Sequence, residues 1–127
     1  MLNRDDILKA TDIQIEPVEA WGGTVYVKGM TGKERDRFEA SIVHIHGKKQ
    51  DVNLENVRAK LCVMSMCDEN GKRLFADSDA PLLTEKSACE LQKVFAVAQR
   101  LSGITDEDID ELTEGIKENP FGDSPSD

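Results

Sequence analysis

Ile13-Gln14-Ile15-Glu16 and Thr24-Val25-Tyr26-Val27-Lys28 lie on either side of Ala20-Trp21-Gly22-Gly23. Both outer runs alternate apolar and polar residues, the two-residue period of a half-buried strand. A Gly-Gly between such runs predicts a β-hairpin over about 13–30. Pro17 has no amide hydrogen for a ladder, so its strand is expected at an edge. A lone hairpin is marginal in water. It is expected either to lie on helices of its own chain or to pair with a second copy, the latter making a homo-oligomer.

Helical patterns occupy the rest. Asn3 caps a short helix ending near Ala10-Thr11, with Asp6 three residues on and Leu2 and Ile7 as a hydrophobic staple. Thr31-Gly32-Lys33-Glu34 is a capping box, followed at helical spacing by Phe38, Ile42 and Ile45 and stopped at Gly47-Lys48-Lys49-Gln50. A third helix is expected from about Asp51–Asn53, with Leu54, Val57, Leu61 and Met64 on one face. It runs to a turn at Asp68-Glu69-Asn70-Gly71. Thr84 is expected to open a fourth helix carrying Leu91, Val94, Phe95, Ala98 and Leu101, closed by Gly103. Thr105-Asp106-Glu107-Asp108 opens a fifth, with Ile104 and Ile109 as its staple. Ile109, Leu112 and Ile116 form its apolar face. The fold class is α+β and mostly α-helical: about five helices with one N-terminal β-hairpin. Residues 1–118 form a single helical domain. Residues 119–127, with Pro120 and Pro125 and little to bury, are expected as a disordered acidic tail.

Composition narrows the function. The chain has 127 residues and a formal net charge of −9. Residues 105–127 hold nine acids and one base, whereas residues 1–104 hold sixteen acids and fifteen bases. So acidic a chain is a poor partner for nucleic-acid phosphates. The longest uncharged runs, Ala20–Val27 and Ala40–Gly47, are eight residues each. A membrane span needs roughly 20 apolar residues. The charged start Met1-Leu2-Asn3-Arg4-Asp5-Asp6 has no apolar segment of the secretory kind. Cys62, Cys67 and Cys89 are odd in number and read as free, buried thiols in a reducing compartment.

No residue pattern marks catalysis or a cofactor. His44 and His46 point about 200° apart on a helix and cannot share a metal there. Cys62 and Cys67, five apart on the third helix, lack zinc-site spacing. No cysteine–histidine signature is present, and the abundant carboxylates lie in charged surface runs. Gly22-Gly23 and Gly29-x-x-Gly32 lack the Gly-Lys-Ser/Thr of a phosphate loop. Arg35, Arg37, Lys48 and Lys49 have acids beside them and read as a solvated face. The candidate partner-binding residues are Trp21 at the hairpin tip and the Ile109, Leu112, Ile116 ridge. Each has a structural alternative: Trp21 tucked under its own fold, and the ridge closing the core.

A family resemblance adds a role. Trp21-Gly22-Gly23-Thr24-Val25-Tyr26-Val27-Lys28-Gly29-Met30-Thr31-Gly32-Lys33-Glu34-Arg35-Asp36 is its most specific block. Asn56–Leu61, Cys67–Phe75 and Val94–Gly103 follow in order. From about residue 4 to about 115 the chain resembles the lambda-like tail assembly chaperones of long-tailed, non-contractile phages and their prophages. The resemblance implies a non-enzyme of the bacterial host cytoplasm. Such a protein binds the tape measure protein, keeps it soluble, promotes tail tube assembly around it, and is absent from the mature virion. It also implies contact with tail tube protein through a possible frameshifted longer form. The competing expectation is an acidic DNA mimic or decoy that binds a basic host nucleic-acid-binding protein, motivated by the charge in 105–127.

Overall fold

A computed structural model describes the backbone of residues 1–47 and 54–118, and the side chains of 1–42 and 56–113. Strand β1 (Ile15–Ala20) pairs antiparallel with β2 (Gly23–Lys28), from Ile15 opposite Lys28 to Ala20 opposite Gly23. The turn is therefore Trp21-Gly22, and Gly23 is a strand residue rather than part of the tip. Pro17 lies in the edge strand, where its missing donor costs no ladder bond. The Gln14 carbonyl accepts from Gly29 N–H at 3.1 Å and prolongs the ladder.

The sheet has a third strand that the sequence reading did not anticipate. Met66–Cys67 (β3) pairs antiparallel with β2, Tyr26 opposite Cys67 and Val27 opposite Met66. Cys67 was expected on a helix, but the helix stops at Ser65 and the chain extends. The Asp68–Gly71 turn forms as expected. Asp68 Oδ1 accepts from Asn70 N–H at 2.8 Å and Lys72 N–H at 3.0 Å, and Gly71 has φ +86°.

Six α-helices occur among the described residues: α1 (Arg4–Lys9), α2 (Gly32–Gly47), α3 (Leu54–Ser65), α4 (Ala80–Leu83), α5 (Ala88–Ser102) and α6 (Asp106–Glu118). Asn3, Thr31 and Thr105 cap their helices through reciprocal boxes with Asp6, Glu34 and Asp108, at 2.9–3.1 Å. Thr84 does not open a helix. Its hydroxyl donates to the Pro81 carbonyl at 2.6 Å, and a turn separates α4 from α5. Ser87 caps α5 instead, its Oγ accepting from Glu90 N–H at 3.4 Å. Gly103 closes α5 in the left-handed conformation, φ +70°.

Helix α3 is the axis of the core. Val57, Ala59 and every residue from Leu61 to Ser65 are buried, so α3 is enclosed almost all round rather than on the one expected face. Helices α2, α4, α5 and α6 all contact it. The hairpin lies on α5 of its own chain. Their approach is close at Gly29, where an added Cβ would stand 2.7 Å from the Leu101 carbonyl oxygen. Arg100 clamps the same seam with two bonds to the Glu16 carboxylate, at 2.7 and 3.0 Å. The mostly helical α+β fold with an N-terminal hairpin thus stands, enlarged by one short strand. No described helix is long and apolar enough to cross a membrane. Residues 119–127, expected as a tail, lie outside the described residues.

Candidate functional site

Trp21 and Gly22 are the two residues of a tight hairpin turn, with φ +54° and +78°. Such turns need positive φ at both central positions to match strand twist, and normally carry Asn, Asp or Gly there. A tryptophan in that place is strained, because its Cβ crowds the backbone by about 1–2 kcal/mol. The surroundings hold it. Trp21 N–H donates to Glu90 Oε1 at 2.7 Å, linking the turn to the first turn of α5. That amide bond is the largest cause of the lowered Glu90 pKa, opposed by burial and helped by Lys93, whose Nζ is 3.3 Å away.

Trp21 remains 39% exposed and lines an apolar groove of about 200 Å³. Val25, Met66, Leu74, Phe75 and Leu83 line the rest, with Lys86 at its rim. β3 builds this wall. Leu74 N–H donates to the Met66 carbonyl at 3.2 Å, and Arg73 bonds the Val63 carbonyl at 3.0 Å and Asp77 at 2.8 Å. These contacts carry Leu74 and Phe75 across the sheet to Trp21. Leu74 is half exposed and Leu82, next to Leu83 on α4, is 64% exposed. An apolar groove with Lys86 as its one charged lining residue suits an apolar side chain or helix face.

The other expected residues lie elsewhere. Ile109 is buried at 4% exposure, and Leu112 packs against the core. Neither lines the groove. Arg35 Nη2 reaches Asp108 Oδ2 at 3.3 Å and ties α6 to α2. The side chain of Ile116 lies outside the described residues, as do those of His44, His46, Lys48 and Lys49. Arg35 and Arg37 are paired with acids, Arg35 with Glu39 at 3.2 Å and Arg37 with Asp77 at 3.4 Å. Cys62 is buried and desolvation pushes its pKa up to about 12, which removes nucleophilic character at neutral pH. Burial likewise raises Cys67. Cys89, expected buried, is exposed, because the true helix start at Ser87 places it in the first, solvent-facing turn of α5. Among the described residues no group of three or more His, Cys, Asp or Glu side chains could hold a metal ion.

Of the residues that line the groove, the sequence singled out Trp21 and not Val25, Met66, Leu74, Phe75, Leu83 or Lys86. The usable signal was Leu74-Phe75 just after a turn, but without β3 nothing placed it beside Trp21. Compared with protein-family models, curated proteins and solved structures, the chain has no match in any of the three.

Proposed function

We propose that the protein is a tail assembly chaperone of a long-tailed, non-contractile phage or prophage. In this reading it acts without chemistry in the host cytoplasm. It holds the tape measure protein soluble, promotes tube assembly around it, and leaves before the virion is complete. A longer form would engage tail tube protein. The observation that supports the reading is the exposed apolar groove at Trp21, to which Trp21 and Val25 of the sequence block that carries the resemblance contribute. A helical, aggregation-prone client presents apolar ridges that such a groove accepts. Each contact is small, so binding is reversible and many copies can share one client. The net charge of −9 keeps free copies soluble.

The test is co-expression with the tape measure protein of the same phage and capture from the soluble fraction. A salt-stable soluble complex is expected. A client left insoluble while this chain is folded overturns the reading, and capture of a basic host protein only at low salt turns it toward the decoy. The site is probed by two truncations that differ only in backbone preference. Trp21→Gly and Trp21→Ala both lose the ring, and both should lose client capture. Trp21→Gly should nonetheless be the more stable by about 1 kcal/mol in denaturant unfolding, because glycine accepts the positive φ. Equal capture by wild type and both variants would remove the groove from the function.

A further inference from the structure

Among the described residues Trp21 is the only one other than glycine with positive φ, +54°. A turn with negative φ at both central positions would relieve that strain but would splay the strands. Strain of this kind persists only where the surroundings over-determine the conformation. The paired strands supply one constraint, and the second comes from outside the hairpin. The ladder ends at the Ala20–Gly23 pair, which leaves the Trp21 N–H without a strand partner. Glu90 Oε1, 69 residues along the chain, accepts it at 2.7 Å.

φ is the torsion about the N–Cα bond, so it fixes where a side chain points relative to its own amide hydrogen. With the N–H held on Glu90 and the Cα held between two paired strands, a φ of +54° sends the Trp21 side chain one way, and in that position Trp21 lines the apolar groove. Released, φ is free to fall to the negative values that a residue with a Cβ prefers, and the side chain swings off the groove.

Glu90 is itself aimed. Its backbone is fixed at the start of α5 by Ser87, whose Oγ accepts the Glu90 N–H at 3.4 Å. Lys93 Nζ holds both carboxylate oxygens, at 3.4 and 3.3 Å. Glu90 is not among the residues that line the groove. It borders a separate hollow with Glu19, Ala20, Gly22, Gly23 and Lys93. Its effect on the groove therefore passes through Trp21.

We infer that Glu90 is the positioning residue of the groove: its carboxylate latches the Trp21 amide and so sets the side chain of the turn. The consequence for client capture rests on the groove being the client site. The positioning itself does not.

The competing role is ordinary. An acid in the first turn of a helix suits the helix dipole and pairs with a lysine three residues on, with no bearing on residue 21. Three substitutions separate the two roles. Glu90→Gln keeps an acceptor oxygen at the same reach and loses the charge. Glu90→Asp keeps the charge at the helix start but is about 1.5 Å shorter, which draws its oxygens beyond the roughly 3.2 Å of a sound hydrogen bond. Glu90→Ala loses both.

The reporter is Trp21, the one tryptophan of the chain. Its emission wavelength and its quenching by acrylamide are read on the full chain, with circular dichroism and thermal melting to confirm folding. Glu90→Gln should match wild type. Glu90→Asp and Glu90→Ala should be red-shifted and more strongly quenched, toward the values of the urea-unfolded chain. A helix-end role predicts the reverse order in the melts, with Glu90→Asp as wild type and Glu90→Gln weakened, and an emission that moves in none of the three. Unmoved emission in Glu90→Asp and Glu90→Ala overturns the inference, and so does a Glu90→Gln that shifts as far as Glu90→Ala. Because Glu90→Asp retains the charge at the helix start, it carries the test alone if Glu90→Ala fails to fold. Capture of the tape measure protein is then compared on the same proteins, where Glu90→Gln should keep it and the other two should lose it. If emission shifts as expected and capture does not change, the positioning stands and the groove is not the client site.

Discussion

Helices α1 and α6 start in the same way and end in different situations. Asn3 with Asp6 and Thr105 with Asp108 form equivalent capping boxes, and Leu2 with Ile7 and Ile104 with Ile109 take the staple positions. Both helices carry acids in the first turn, which suits the positive end of the helix dipole. Yet Ile109 is 4% exposed and Ile7 is 57% exposed. α6 has α2 and α3 to lie against, and α1 has no comparable neighbour. Identical local chemistry therefore yields a structural helix at one end and a free one at the other. A helix start is encoded within four or five residues, whereas the fate of its apolar face depends on what surface the rest of the chain provides.

The largest effect should come from the buried member of the pair. Ile109→Ala should cost about 2–5 kcal/mol in urea unfolding, by lost burial and the cavity left between α6 and the core. A loss below about 1 kcal/mol would mean that α6 is no better docked than α1, and the contrast would collapse.

A smaller loss is expected from Asp108→Ala. This removes the acceptor for Thr105 N–H at 2.9 Å and the Arg35 contact at 3.3 Å, so the unfolding midpoint should fall, by less than for Ile109→Ala. The same carboxylate gives a pH signature. The Thr105 backbone N–H, and then its hydroxyl and Arg35, hold the Asp108 pKa below its ordinary value. A carboxylate depressed in the folded state contributes stability above its unfolded pKa and loses it as pH falls through the folded one. Wild-type stability should therefore decline below about pH 4, and Asp108→Ala should decline less steeply there. Parallel wild-type and variant profiles would show the α6 cap to be energetically idle.

The smallest effect should be Ile7→Ala, within about 0.5 kcal/mol, since more than half of the residue is exposed. A loss near that of Ile109→Ala would show that α1 packs on its own body.

The residues explain which features were legible. The caps at Asn3, Thr31 and Thr105 were readable because each is a contact between residues three apart. The hairpin was readable because Ile13–Glu16 and Thr24–Lys28 alternate. Thr84 misled because its hydroxyl is satisfied by Pro81 O, a local competitor of the cap. β3 was invisible because two residues have no period, and Met66 pairs with Val27, which lies far back along the chain. In the candidate site Trp21 stood out as the one tryptophan beside a turn. Leu74, Phe75 and Leu83 did not, since they join it only through β3 and α4.

By itself the sequence determined the secondary structure that local contacts encode: three capped helices, the glycine stop at Gly103, the hairpin, and the acid concentrated in 105–127. It also determined the apolar face of α6, with Ile109, Leu112 and Ile116, and the Leu2–Ile7 staple pair at α1. Only the tertiary structure decided that α3 is enclosed on nearly every side, that Ile109 and Leu112 turn inward, and that a groove opens between Trp21 and Leu74. The reason is the range of the forces. Capping and strand alternation act between residues a few positions apart, so they can be read along the chain. Burial is settled by which surfaces meet after the chain has folded back on itself, and an apolar side chain gains equally from its own core or from a partner.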